Sequence, residues 1–277
     1  FCCTDATTDA NVWFNVGGGS GDVQPWQYAA TIAGYSHGGH TGSANSNAIE
    51  KFSIQTESNG TDVGDLTQAI RDPAGVSSGT HGYSAGGFSA PDGSRIEKYS
   101  FSSDGNSADT TADLTVGRAY AKGHSTEDYG YLAGGSGPHN QIDRFPFASS
   151  SNATDVGDLA ISMYGFAEAT SETHGWTAGG SNTSTRNNNI QKYAFASSSD
   201  ATDVANMSQI NRYQGGFESS THGYSLGGDA AGGGDIYNVI EKYAFASNGN
   251  GVNIADLSIP QIYSNVGVAS ASNGYSL

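Results

Sequence analysis

A four-residue segment occurs five times along this chain, and its spacing limits the architecture more than any other feature. Ile49-Glu50-Lys51-Phe52 reappears as Ile96-Glu97-Lys98-Tyr99, Ile142-Asp143-Arg144-Phe145, Ile190-Gln191-Lys192-Tyr193 and Ile240-Glu241-Lys242-Tyr243, at intervals of 47, 46, 48 and 50 residues. A second marker, an aromatic followed three residues later by Gly-Gly, starts at Tyr35, Tyr83, Tyr131, Trp176 and Tyr224, and a further copy opens at Gly274-Tyr275-Ser276-Leu277. A third follows the Ile-Glu-Lys-Tyr element: Thr61 to Leu66, Thr154 to Leu159, and looser copies at Thr202 to Met207 and Asn253 to Leu257. Self-similarity at a fixed period marks a repeat architecture, in which each unit buries its faces only against its neighbours.

The fifth period reads as four short strands. An inner strand of small residues lies near Tyr213 to Ser219, and a turn at Thr221-His222-Gly223 leads into a second strand, Tyr224 to Gly227. A third runs from Val239 to Ala246, with Val239, Glu241, Tyr243 and Phe245 on one face by alternation. The fourth ends at Asp256-Leu257. Four strands in about 48 residues with a Gly-Gly pair describe a propeller blade. Long helices and a membrane-spanning helix are both excluded, because Gly, Ser, Asn and Asp punctuate the chain and no run of about 18 apolar residues occurs.

On these residues the chain resembles the kelch repeat family of β-propellers over residues 20 to 277. The Gly-Gly pair after an aromatic strand and the Ile-Glu-Lys-Tyr strand carry the resemblance, and Arg71, Arg118 and Arg212 open three inner strands. The fourth-strand Trp of that family is missing, with Val63, Val156 or Val204 near its place. The wording of the repeat, Phe-Ala-Ser followed by Ala-Thr-Asp-Val-Gly-Asp-Leu and Thr-His-Gly-Tyr-Ser, also resembles repeats in structural proteins of marine tailed phages.

The expected fold is therefore all-β: a kelch-like β-propeller of about six four-stranded blades in a single domain, residues 1–277. Asp5 to Val12 resembles Asp200 to Met207, so residues 1–16 are expected to supply outer strands of the last blade and close the ring with the C-terminal strands. The chain opens on Phe1, which points to a processed terminus or a piece of a longer protein.

Chemistry is sparse. The formal charge of −16 opposes binding to phosphate backbones, so no nucleic-acid partner is expected. Cys2 and Cys3 are the only cysteines, and two adjacent thiols make neither a disulfide framework nor a zinc cage. His81, His174 and His222 share one repeat position and would be spread around a ring, so turn histidines are expected and no metal site. Asp92-Gly93-Ser94 and Asp104-Gly105-Asn106 lack the 12-residue calcium pattern and read as Asx-turns. Asp65, Asp113, Asp158 and Asp256 recur once per blade, and are expected to accept backbone N–H groups or to pair with the repeated Lys51, Lys98, Arg144, Lys192 and Lys242. No nucleophile motif or phosphate loop is present, so no catalytic residue and no cofactor is expected.

Function should sit where the repeat is broken. The loops after the Gly-Gly pairs differ in length and chemistry, and His139, Arg186, Asn187, Asn188, Asp235 and Tyr237 are the candidate ligand contacts, suited to hydrogen bonding and stacking on a sugar. The expectation is a non-enzymatic, virion-associated or extracellular propeller, such as a bacteriophage tail-fibre or decorating protein. It would attach to host-surface glycan, or bind other virion or surface proteins including copies of itself, without inserting in a membrane. A structural module is the main rival, and a glycan-active enzyme a distant third.

Overall fold

The structure is a computed structural model. It describes residues 2–5, 12–14, 32–56, 58–88, 93–137, 139–230, 235–261, 267–269 and 274–276. Strands β1 (Cys2–Asp5) and β2 (Val12–Phe14) form an antiparallel pair. The first blade holds β3 (Ala33–His37), β4 (Ser46–Ser53) and β5 (Thr61–Ile70). The second is the meander β6 (Ala74–Ser77), β7 (His81–Ala85), β8 (Arg95–Ser100), β9 (Ala108–Asp113). The third is β10 (Lys122–Ser125), β11 (Tyr129–Ala133), β12 (Gln141–Pro146), β13 (Thr154–Asp158). The fourth is β14 (Ala167–Thr170), β15 (His174–Ala178), β16 (Asn189–Ala194), β17 (Thr202–Asn206). In the fifth, the short pair β18 (Asn211–Arg212) and β21 (Asp229–Ala230) flanks the meander β19 (Gly215–Glu218), β20 (His222–Leu226), β22 (Val239–Ala244), β23 (Val252–Asp256). Strands β24 (Gly267–Ala269) and β25 (Gly274–Ser276) pair antiparallel, and β24 lies beside β19.

The architecture is an all-β propeller of antiparallel blades, and its repeating strands fall where the periodicity puts them. Two expectations are corrected. The described residues build five blades, not six, because the sheet after the fifth stops at the two strands β24 and β25. Nor do the two termini share a sheet: β1 pairs with β2 and β24 with β25, each as a separate two-stranded ladder among the described residues. Residues 1, 6–11, 15 and 16 of the expected closing segment lie outside the described residues.

Adjacent inner strands approach closely enough that the repeat needs small residues there. A Cβ on Gly123 of β10 would stand 2.2 Å from the carbonyl oxygen of Gly75 in β6, and one on Gly216 of β19 equally close to the backbone of Glu168 in β14. In the second and third blades both faces of the third strand are covered, so Ile96, Glu97 and Tyr99 are all buried, as are Ile142, Asp143 and Phe145. Each seam carries one repeated ring stack. The second-strand aromatic of one blade packs on a Phe from the next: Tyr35 on Phe101 at 4.8 Å, Tyr83 on Phe147 at 4.7 Å, Tyr131 on Phe195 at 4.8 Å and Trp176 on Phe245 at 5.1 Å. Such pairs add about 0.5–1.5 kcal/mol each beyond the area they bury.

The second residue of the repeated four-residue segment latches each of the second to fifth blades to its predecessor. The Glu97 carboxylate accepts from the Thr67 N–H at 2.8 Å and from the Thr67 and Ser107 hydroxyls at 2.5 Å. Asp143 accepts from the Thr115 N–H (2.9 Å) and hydroxyl (2.6 Å) and from Arg118 (3.0 Å), with the Asp143 and Arg118 side chains fully buried. Gln191 accepts from Ile161 N–H at 3.0 Å, and Glu241 from the N–H groups of Ser208 at 2.8 Å and Gln209 at 3.1 Å. A buried carboxylate is tolerated because it satisfies backbone donors that would otherwise be orphaned in the turn leaving the outer strand.

The repeated cations take other partners than the repeated aspartates. Lys51 pairs with Asp104 of the next blade at 3.0 Å, Lys192 donates to Asn248 at 2.8 Å, and Arg144 lies over the Tyr129 ring at 4.9 Å. Register explains this: Lys51 stands opposite Thr61 and Ala48 opposite Asp65, so the acid sits about 13 Å further along the blade. The backbone N–H groups of Asp65, Asp113 and Asp158 instead donate to Asn106, Asn152 and Asp200 in the following blade, and the Asp113 carboxylate accepts from Ser94 at 3.0 Å.

Candidate functional site

The segment leading into each inner strand pairs with the residue that follows the Gly-Gly pair of the same blade: Arg71 with Phe88, Tyr164 with Ser181, Arg212 with Asp229. The next residue along that segment takes a left-handed conformation in four successive blades: Asp72 (φ 54°), Tyr120 (57°), Gly165 (63°) and Tyr213 (56°). Backbone hydrogen bonds join these four in series. Tyr120 N–H donates to Asp72 C=O, Gly165 N–H to Tyr120 C=O, and Tyr213 N–H to Gly165 C=O. Positive φ is costly for a bulky side chain, on the order of 1 kcal/mol or more per residue. Glycine would serve the backbone better, so the tyrosines are there for their rings.

Those rings converge. Tyr120 and Tyr213 lie 5.6 Å apart, Tyr120 and Tyr164 6.1 Å, Tyr164 and Tyr213 5.9 Å, and all three are half-buried. Gly165 makes the room: a Cβ there would meet the Tyr213 ring at 2.8 Å. Arg212 lies over the Tyr213 ring at 4.7 Å, donates to the Tyr164 hydroxyl at 3.3 Å and pairs with Asp229 at 3.1 Å. Arg186, from the fourth blade, reaches the same Asp229 oxygen at 2.7 Å. Burial works against the Arg212 charge, but the Asp229 hydrogen bond and the neighbouring tyrosines outweigh it and raise its pKa. At the other end of the series burial raises the Asp72 carboxyl, against a hydrogen bond from Tyr120 and the Arg71 charge.

Of the six loop residues singled out in the sequence, Arg186 joins this rim. Asn187 and Asn188 hold their own loop: Asn187 N–H donates to Gly180 C=O at 2.8 Å and the Asn188 side chain to Met207 C=O at 2.9 Å. Tyr237 N–H donates to Gly228 C=O at 2.8 Å, Asp235 is exposed in the same loop, and the half-buried His139 packs against Gly137. Asp72, Tyr120, Tyr164, Tyr213 and Asp229 were missed. Tyr120 and Tyr213 each stand immediately before an inner strand at matching offsets, a signal the varied side chains concealed.

His81, His174 and His222 each open the second strand of a blade, directly after the turn, with Nδ1 2.8 Å from the hydroxyl of the preceding Thr80, Thr173 or Thr221. Their backbone N–H groups donate to Ser78, Ser171 and Ser219. Asp104 is the left-handed residue of its turn; Asp92 lies outside the described residues.

Fold and rim together define a β-propeller with antiparallel blades that presents aromatic rings and a shared Arg–Asp–Arg cluster at one end. No protein-family model matches the sequence, and no curated protein matches it.

Proposed function

We propose that this chain is a non-enzymatic adhesive propeller that attaches to host-surface glycans through the rim of Tyr120, Tyr164, Tyr213 and Arg212. The carrying observation is the pair of tyrosines held at positive φ, whose backbone cost is offset only if their rings have a use. The accessible parts of the half-buried rings pack on the C–H faces of sugars, while Arg212 and Asp229 fix hydroxyl orientation. The resemblance of the repeat to kelch and phage repeat sequences supports a virion or cell-surface location in this reading.

The test is binding of the purified chain to a printed array of bacterial surface polysaccharides, beside the Tyr120→Asn/Tyr213→Asn variant. Asparagine tolerates the left-handed conformation, so the fold should survive while binding is lost. Binding that the variant retains would move the site elsewhere, and no binding at all would favour the rival reading.

That rival, an assembly module contacting other virion or surface proteins or further copies, has one observation in its favour. On the outer strand of the fifth blade Val252 and Ile254 are 59% and 47% exposed, whereas Val156 at the third blade is 8% exposed under its neighbour. Immunogold labelling of source particles separates the two: label at a tail tip supports adhesion, label along a tube or over a capsid supports assembly.

A further inference from the structure

The opposite end of the propeller carries the turns between first and second and between third and fourth strands, and there a strap crosses some seams. Lys51 Nζ reaches both Asp104 carboxylate oxygens at 3.1 and 3.0 Å, and Lys192 Nζ reaches Asn248 Oδ1 at 2.8 Å. Both acceptors are left-handed residues, with φ 51° and 50°, and each precedes a glycine, Gly105 or Gly249. That turn, favoured by Asx-Gly, carries the acceptor to the cation.

The turn is replaced by serines both at the seam between the second and third blades, where Ser150-Ser151 stand in the place of Asp104-Gly105, and at the seam between the third and fourth. The latter turn reads Phe195-Ala196-Ser197-Ser198-Ser199, where Ser198 takes the place of Asp104 and Asn248 but without positive φ and without a following glycine. Arg144, in the place of Lys51 and Lys192, lies instead over Tyr129, which itself replaces the repeated histidine. Across this seam the Tyr131 hydroxyl donates to the Phe195 carbonyl at 3.3 Å, beside the contact of the two rings. A groove of about 290 Å³ beside that contact is lined by Tyr129, Tyr131, Glu172, Thr173 and Phe195.

We propose that this seam groove binds one pyranose unit of an uncharged saccharide. The Tyr129, Tyr131 and Phe195 rings offer apolar walls for the C–H face of the sugar, and the exposed Glu172 carboxylate accepts from adjacent hydroxyls at the rim. Glu127 and Asp128 stand exposed in the neighbouring turn, so the surroundings disfavour an anionic sugar. The site is at the far end of the blades from the tyrosine rim and does not depend on adhesion through it.

Saturation-transfer NMR with methyl α-glucoside, methyl α-mannoside, methyl β-galactoside and methyl N-acetyl-β-glucosaminide tests this on the full chain. At least one glycoside should receive saturation at its ring protons. The Ser198→Asp/Ser199→Gly variant copies Asp104-Gly105, gives Arg144 a partner across the seam and closes the groove without altering its walls; it should weaken binding by about tenfold or more. Glu172→Gln, at an exposed position that cannot unfold the chain, should weaken it by about fivefold, and Tyr120→Asn/Tyr213→Asn should leave it unchanged. No transfer to any of the four glycosides overturns the proposal, as does binding that survives both seam variants or is lost in the rim variant.

Discussion

The Tyr193 hydroxyl and His124 Nδ1 lie 2.9 Å apart in the buried seam between the third and fourth blades. Burial lowers the His124 pKa to about 4, so the ring is neutral at pH 7; Nε2 donates to the Trp176 carbonyl, leaving Nδ1 to accept from the tyrosine. One seam earlier the matching residues are Phe145 and Val76, an apolar pair packed over Gly130. One seam later they are Tyr243 and Ala169, and the buried Tyr243 hydroxyl has no hydrogen-bond partner among the described residues. Ring and partner vary together at two seams and part company at the third.

The same substitution should therefore have opposite signs in two blades. Tyr193→Phe strands a buried imidazole nitrogen and should cost about 1–2 kcal/mol, whereas Tyr243→Phe removes an unpaired hydroxyl and should stabilise by up to about 1 kcal/mol. Urea unfolding of the two variants, compared at constant m-value, decides it.

Removing a latch should be far more damaging than removing a surface charge. Asp143→Ala leaves Arg118 buried without its counter-charge and should destabilise by about 3–5 kcal/mol. Lys51→Ala, at a solvent-screened strap, should cost far less. Thermal unfolding of both variants tests the ranking, and equal losses would refute it.

Glu218 should give the protein a pH-dependent weakness. Burial raises its pKa to about 7, against the Thr170 N–H bond that lowers it, and the nearby Glu168 charge raises it further. Lys122 is engaged by Glu168 at 3.0 Å. The unfolded carboxyl ionises near pH 4.5 and the folded one near 7, so its contribution to stability is complete below about 4.5 and falls as pH rises to 7. His37 and His124, lowered to about 4 by burial, act in the other direction as pH falls below 6.5. The difference between wild type and Glu218→Gln isolates the carboxyl: the variant should gain melting temperature relative to wild type from pH 5 to 8. A pH-independent difference would contradict the assignment.

The inner strands should tolerate no added methyl where they cross most closely. Gly123→Ala should destabilise by about 1–3 kcal/mol or more, because the clash is with the Gly75 backbone and not with a side chain that can turn away. Circular dichroism melts of this variant beside Gly60→Ala, whose Cβ would meet only the end of Glu50 at 3.3 Å, test the contrast.

Blades were legible because every blade needs the same small inner strand, the same Gly-Gly and the same buried aromatic, so packing itself is written as periodicity. The predicted third strand, Val239 to Ala246, is β22 to within two residues, and Glu241 and Tyr243 share its alternating buried face. An acid on that face was the available sign of the latch, yet the aspartates ending the fourth strand drew attention because they too recur. The rim was not legible for the opposite reason. Asp72, Tyr120, Gly165 and Tyr213 share a backbone conformation and a place in the ring but no side-chain chemistry, and backbone conformation leaves no repeating letter when each blade uses a different residue.

The latches also have a direction. Thr67, Thr115, Ile161 and Ser208 each wait for an acceptor 30, 28, 30 and 33 residues further along the chain. During synthesis from the N-terminus, each turn is therefore stitched only when the third strand of the following blade emerges. Growth proceeds as a running seam in which one turn at a time is open. At the fifth blade that turn contains Ile259, 66% exposed, the point at which the next arriving strands would be sewn on.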